Sequence, residues 1–173
     1  MTAFALPVTL IGQHVHLVPL SHDHHDDLVQ AVRDGELWNL WYTAIPAPEG
    51  MATEINRRLD LQNKGSMCAF AVIDPASGRA VGMTTYMNID AANRRVEIGS
   101  TWYRRSVQRS MLNTEAKRLL LAHAFETLGC IAVEFRTHRF NTQSRRAIER
   151  LGAQLDGILR NHEETSGKVT CLS

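Results

Sequence analysis

The sequence predicts an α/β domain on a mixed central sheet, an antiparallel meander continued by a parallel pairing, with helices on its faces. Three observations lead there. Residues 67–103 hold three strand-like runs joined by tight turns. Residues 113–128 carry Leu120, Leu121, Ala124, Phe125 and Leu128 at helical spacing, so one apolar face needs a sheet to lie on. From residue 95 to residue 151 the order is strand, helix, strand, helix, and a strand that returns after a crossover helix pairs in parallel with its predecessor.

Taken in order, residues 14–18 alternate as a first strand, and Ser21 follows as the N-cap of a helix running to about Asp34, with Asp23, Asp26 and Asp27 in its first turns. Trp38, Trp41, Tyr42, Pro46 and Pro48 make residues 36–48 too aromatic for a linker and too proline-rich for one long helix, so a short helix and a loop flanking a cleft are expected. Residues 53–63 form a helix with Ile55, Leu59 and Gln62 on its buried side. The strand 67–73 turns through Asp74-Pro75-Ala76-Ser77-Gly78 into its partner at 80–89, and 95–103 completes the meander. In that last strand Val96, Ile98, Ser100 and Trp102 share one face, and Glu97, Gly99, Thr101 and Tyr103 the other. After the helix 113–128, stopped by Gly129, come a β-branched strand at 131–137 and a helix at 141–151 with Asn141 as N-cap and Gly152 as its stop. Strands at 155–161 and 168–172 close the chain around the Thr165-Ser166-Gly167 turn.

With 173 residues, and no repeat or linker, the chain reads as one domain over 1–173. Hydrophobic residues make up 44% and charged residues 21%, and the net charge of +1 supplies no global field for nucleic acid or membrane, so anion binding must be local. The N-terminus lacks the pattern of a signal peptide and no apolar run approaches the ~20 residues that span a bilayer, which sets cytoplasm as the expected location. Cys68, Cys130 and Cys171 are odd in number and widely spaced, which fits buried free thiols better than disulfides or a zinc cluster. His22-Asp23-His24-His25-Asp26-Asp27 has metal-ligand residue types, but an acidic helix start with exposed histidines explains it, and no metal is expected. Arg94-Arg95 and Arg145-Arg146 lack the interleaved aromatics of a nucleic-acid surface.

The stretch from Trp102 to Glu115 runs a strand through a polar loop straight into a helix. First-turn backbone N–H groups have no intrahelical partners and sit at the positive end of the macrodipole, so such a loop makes an anion site, with Arg104, Arg105 and Arg109 adding to the field. The same window also fits an ordinary strand-to-helix connection with solvated arginines.

Taken together, His16-Leu17-Val18-Pro19-Leu20, Glu97-Ile98-Gly99, Gln108 to Leu112, Asn141-Thr142-Gln143-Ser144 and Leu151-Gly152-Ala153 resemble the GNAT acyltransferase superfamily, in particular the RimJ/RimL-type branch of ribosomal-protein N-terminal acetyltransferases. The resemblance spans nearly the whole chain and implies a GNAT fold whose parallel strands part into a V-shaped slot. It implies acetyl-CoA as cosubstrate and an amine as acceptor, a protein or peptide N-terminus or a small amine, with acetyl moved directly and no nucleophilic residue. It implies that amides of Gln108, Arg109, Ser110, Met111, Leu112, Asn113 and Thr114 cradle the pyrophosphate, in the family pattern Gln/Arg-x-x-Gly-x-Gly/Ala. Met111 stands in place of the first glycine, so its side chain either leans away from the cofactor or crowds the phosphates, and a positive φ there costs about 1 kcal/mol or more. Asn113 replaces the last small residue.

The same resemblance places an oxyanion-stabilising amide near Thr101 or Trp102, Asn141 on the pantetheine arm, Ser144 beside the thiolate and Arg145 within reach of a phosphate. Ile148 stands where many members carry a tyrosine acid. The base it favours is Glu163, with Glu97 as rival, and either also reads as a plain strand carboxylate. Asn141 and Ser144 equally read as a helix cap and a first-turn residue. A homodimer and a last strand continuing past Ser173 are further implications. Met111 and the absent tyrosine motivate the alternative of a coenzyme-binding sensor or scaffold with little turnover.

Overall fold

The computed structural model describes residues 3–165 and 168–172, and side chains from 4 to 160. Strands β1 (Leu10–Ile11) and β2 (His16–Pro19) lead to α1 (His25–Arg33), α2 (Met51–Asn63), the meander β3 (Cys68–Asp74), β4 (Arg79–Asp90), β5 (Arg95–Tyr103), then α3 (Met111–Ala122), β6 (Ala132–Glu134), α4 (Thr142–Glu149), β7 (Leu159–Thr165) and β8 (Lys168–Leu172). The first six strands form one sheet in sequential order, antiparallel up to β5, and β5 pairs with β6 in parallel. The last two pair with each other as a separate antiparallel hairpin. The expected mixed sheet and its parallel step are therefore present. No helix among the described residues is long and apolar enough to cross a membrane.

Each face of the sheet carries its own core. One packs Leu17, Phe70, Val72, Tyr86, Val96 and Ile98 against Leu112, Ala116, Leu120 and Ala124 of α3 and the turn after it. The other packs Ala69, Ala71, Met83 and Trp102 against Leu28, Val32, Met51 and Ile55 of α1 and α2. Alternation along β3 sends Phe70 and Val72 one way, Ala69 and Ala71 the other, so a strand buried on both sides separates two helical layers. Gly82 lets the meander close, because a Cβ there would overlap the Trp102 carbonyl oxygen.

Three sequence expectations are corrected and one is extended. In β5 the pairing steps from Met83↔Trp102 to Thr85↔Gly99, so β5 spends one residue more than β4, and Ser100 takes φ +47°. That bulge breaks the alternation, sending Trp102 into the α1/α2 core while Val96, Ile98 and Tyr103 lie in the α3 core. In α2 the buried row of Ile55 and Gln62 also takes in Met51 and Arg58, while Leu59 packs against the same core only partly buried. The α3 helix ends at Ala122 in a wider turn over His123–Thr127, closed by Leu128 N–H donating to the His123 carbonyl, which leaves Phe125 46% exposed instead of on the apolar face. Strand β6 is three residues long, with Ile131 outside it and 61% exposed. The Ser166-Gly167 part of the last turn lies outside the described residues.

Candidate functional site

At the end of β5 the chain turns through a 3-10 segment, Arg105–Val107, into Ser110, the N-cap of α3. Ser110 Oγ accepts from Leu112 N–H at 3.3 Å and donates to the Val107 carbonyl at 2.7 Å, which fixes where the helix begins. The left-handed residue of this loop is Arg109, φ +63°, and not Met111, which is the first residue of α3. Positive-φ strain at Met111 is therefore corrected to strain at Arg109. Met111 is 59% exposed and lines an open groove of about 420 Å³ with Gln13, His14, Asp74 and Ala76, on the β1–β4 side of the helix terminus. Ser106, Val107 and Ser110 of the loop line the same groove.

The other loop residues divide. Gln108 spends its amide on the Arg105 carbonyl at 3.1 Å and its side-chain Nε2 on the Tyr103 carbonyl at 2.9 Å. Arg104 donates to Asp34 Oδ2 at 2.9 Å, and Ser106 N–H donates to the same atom at 3.1 Å. Hydrogen bonding from Ser106, then from Arg104, holds the Asp34 carboxyl below its ordinary range. Arg105 packs where a Cβ on Gly35 would meet it at 2.7 Å. Of three arginines expected to add to an anion field, Arg104 is neutralised by Asp34, while Arg105 lays its aliphatic stem against Gly35 and stays exposed. Exposed Arg109 stands beside the first turn of α3, where the Leu112 amide is taken by the Ser110 cap.

Beside this helix start the sheet divides. β5 and β6 pair only over Arg95↔Ala132, Val96↔Val133 and Glu97↔Glu134, after which residues 98–103 of β5 have no β6 partner. The bulge lies on this free length, held from both faces. Arg58, 2% exposed, donates from Nη2 to the Ser100 carbonyl at 3.1 Å and from Nε to Glu54 at 2.6 Å, while its Nη1 has no partner among the described residues. On the α3 face Lys117 donates to Thr101 Oγ1 at 2.8 Å, which lies 2.8 Å from Thr84 Oγ1. Thr101 and Trp102 thus stand on the parted strand, where a slot-facing amide was expected.

Glu97 sits at the fork and is 5% exposed, accepting from Asn88 Nδ2 at 2.7 Å and lying 3.4 Å from Arg136 Nε. Arg136 also reaches Glu134 at 3.3 Å. The bland expectation of an exposed carboxylate at Glu97 is corrected: the strand pairing buries it against an arginine. Asn141 caps α4, its Oδ1 accepting from Ser144 N–H at 3.1 Å, so the capping reading holds, and its Nδ2 makes no hydrogen bond among the described residues. The Ser144 hydroxyl likewise makes none there, while Arg145 reaches the Arg139 carbonyl at 3.5 Å. Glu163 lies in β7 opposite Thr170, with its side chain outside the described residues.

Trp41 and Tyr42 from the α1–α2 loop meet His138 and Phe140 from the β6–α4 loop, with Trp41 and His138 rings 5.1 Å apart. Sequence reading expected the first pair at a cleft and missed the second, and it missed Arg58, Lys117, Asn88 and Arg136 altogether. A lysine inside the apolar row of α3 was the available signal. The acidic-histidine stretch is spent locally, His22 on Asn56 at 2.7 Å and His25 on Asp26 at 2.8 Å. Cys68 and Cys130 are buried free thiols, the first pushed up to about 12 by burial, the second raised because burial outweighs the pull of Arg94.

The family model described as an acetyltransferase (GNAT) domain matches residues 14–154. A relative in Bacillus licheniformis, the uncharacterized N-acetyltransferase p20, is 26% identical over 165 residues, covering 93% of this chain and 90% of the relative. A crystal structure of a GCN5-related N-acetyltransferase from Brucella melitensis superposes with a TM-score of 0.84 at 30% identity, covering 95% of this chain and 76% of that one. RimL, a ribosomal-protein alpha-N-acetyltransferase solved in complex with coenzyme A, shares the fold at a TM-score of 0.81 and 15% identity, covering 95% of this chain and 94% of that one.

Proposed function

The chain belongs to the GNAT acetyltransferase family, and from that premise we propose that it transfers an acetyl group from acetyl-CoA directly to a primary amine, a protein or peptide N-terminus or a small amine. The observation that carries this is the forked sheet: β5 leaves β6 after Glu97, next to the first turn of α3, where the Ser110 cap takes up the Leu112 amide and leaves its neighbours to a ligand. A helix start with free amides suits a diphosphate, and a strand edge without a partner suits an extended amide-bearing arm. The residues fit that cosubstrate, because the left-handed place in the loop falls on Arg109 while Met111, the bulky departure from a glycine-rich loop, has helical backbone and a side chain 59% exposed. When bound, acetyl-CoA supplies an acyl group activated as a thioester.

In this reading the protein's own groups divide the work. Amides from Arg109 to Thr114 grip the diphosphate, with Arg109 adding charge and Arg145 reaching a phosphate from α4. A backbone N–H of the bulge near Thr101 or Trp102 stabilises the oxyanion as the amine attacks. Asn141 Nδ2 orders the arm, and the Ser144 hydroxyl donates to the departing thiolate. Glu163 takes the proton from the incoming ammonium. Glu97, already engaged by Asn88 and Arg136, is the weaker base and orients the fork instead. The aromatic group of Trp41, Tyr42, His138 and Phe140 borders the acceptor entrance. The likeness to RimL, a ribosomal-protein acetyltransferase, supports the protein N-terminus among these acceptors.

Thermal shift with acetyl-CoA, combined with thiol release over a panel of peptides and small amines, tests this. The expected result is a raised Tm together with release for at least one acceptor. Stabilisation without release for any amine would replace an enzyme with a coenzyme-binding sensor, and no stabilisation would remove the coenzyme site.

A further inference from the structure

Lys117 sits one turn and a half into α3, in the row that otherwise buries Leu112, Ala116 and Leu120. It is 8% exposed and makes no ion pair among the described residues. Its Nζ donates to Thr101 Oγ1 at 2.8 Å and lies 5.7 Å from the centre of the Phe135 ring. Thr101 is on β5 four residues past the last β5–β6 pair, and Phe135 is one residue past it on the other strand. The amine therefore spans the gap that opens where the two strands part. A buried nitrogen with two or three hydrogens and one acceptor retains donors without partners, a costly arrangement unless something else accepts them. Removal from water pushes its pKa down to about 7, and an amine remains a donor on either side of that value.

We propose that Lys117 is a cofactor-binding residue of the fork, donating a hydrogen bond to a carbonyl oxygen of the acylated pantetheine arm while Thr101 keeps the amine aimed at the gap. This rests on the reading of the fork as a coenzyme A thioester site. The carbonyl belongs either to the thioester or to an amide of the arm, and three ligands separate these: adenosine 3′,5′-bisphosphate has no arm, coenzyme A has amides only, and acetyl-CoA has both.

Calorimetry of the wild type and of Lys117→Met, which keeps length and loses the donor, is expected to show equal affinity for the bisphosphate. For acetyl-CoA the variant binds about tenfold more weakly, the order of one hydrogen bond. Equal weakening for coenzyme A identifies an amide, and weakening confined to acetyl-CoA identifies the thioester. Unchanged affinity for all three, or the same loss for all three, overturns the proposal. A wild type that binds none of them removes the coenzyme reading and this proposal with it.

The wild type supplies a second readout that requires no folded variant. Cyanate carbamylates uncharged amines, and at pH 8 carbamylation of Lys117, read by peptide mass, is expected to be slowed by acetyl-CoA and unaffected by the bisphosphate. A rate that acetyl-CoA leaves unchanged, or a Lys117 that never reacts in the native protein, means the amine is sealed from the gap and overturns the proposal.

Discussion

Arg58 in α2 donates to the carbonyl oxygen of Ser100 at 3.1 Å, and this bond ties the α1/α2 layer to the residue at φ +47° that kinks β5. The kink separates Gly99 from Trp102 in register and turns Trp102 into the opposite core. A bond between helix and bulge thus decides which side chains of β5 face which layer.

Removing Arg58 leaves the Ser100 carbonyl without its donor and takes one of two arginine partners from half-buried Glu54. Arg58→Ala is expected to lower unfolding stability by about 1–3 kcal/mol, the order of leaving a buried carbonyl unsatisfied. Burial of Glu54 opposes its ionisation, but hydrogen bonding from Arg57 and the charge and hydrogen bonding of Arg58 outweigh it, holding that carboxyl below its ordinary value. Urea denaturation of the variant measures the loss, and a change under 1 kcal/mol would contradict the role given to this residue.

Arg109 separates stability from binding. With φ +63° it occupies a left-handed conformation that glycine adopts freely, so Arg109→Gly is expected to stabilise by about 0.5–1 kcal/mol. The same change removes the exposed cation at the α3 terminus and is expected to weaken coenzyme A binding. Opposite signs in a denaturation curve and a titration are the expected signature, and a variant that loses both refutes it.

Lys117 gives the fold a pH dependence of definite sign. Its folded pKa is about 7 and its ordinary value 10.5, so between these the unfolded chain binds the extra proton. Stability attributable to this residue therefore rises as pH climbs from about 7 to about 10.5 and is flat below 7. Thermal melts across that window should show the rise in the wild type and a smaller one in Lys117→Met. Identical slopes would show that the amine is charged in the folded state.

Glu163 and Glu97 are expected to separate by what each loses. Glu163→Gln should lower kcat by about 10²–10⁴ while leaving coenzyme A affinity intact, as for a general base. Glu97→Gln should lower stability by about 1–3 kcal/mol, because Arg136 and Asn88 lose their charged partner. Rate assays and denaturation on both variants decide, and a kcat loss of that size confined to Glu97→Gln would exchange their roles.

The sheet order and its parallel step were legible because alternation and turn residues are local signals that tertiary packing here obeys. What escaped depended on departures from regular periods. An inserted residue at Ser100 reverses face assignments beyond it, and a wide turn at His123–Thr127 rotates Phe125 outward, although the side-chain pattern is the same before and after. Arg58 and Lys117 were invisible as interior residues because charge in a helix ordinarily marks the wet face; only the packing of two layers against one bulge shows why they are inside. The anion loop was recognisable as a loop, but Arg104 pairs with Asp34 and the Arg105 stem packs on Gly35, contacts some seventy residues away in the chain.

The three-residue contact between β5 and β6 has a mechanical consequence. So short a seam contributes few ladder bonds, and the segment from β6 through α4 is joined to the rest of the fold there, at the Glu97–Arg136–Glu134 cluster, through Val133 and Phe135 on the core and through the rings of Trp41, His138 and Phe140. An extended guest lying along the bare edge of residues 98–103 would act as a missing strand, lengthening the seam and lashing the two parts together, so amide exchange in β6 and the start of α4 would slow on occupancy even where the guest touches neither.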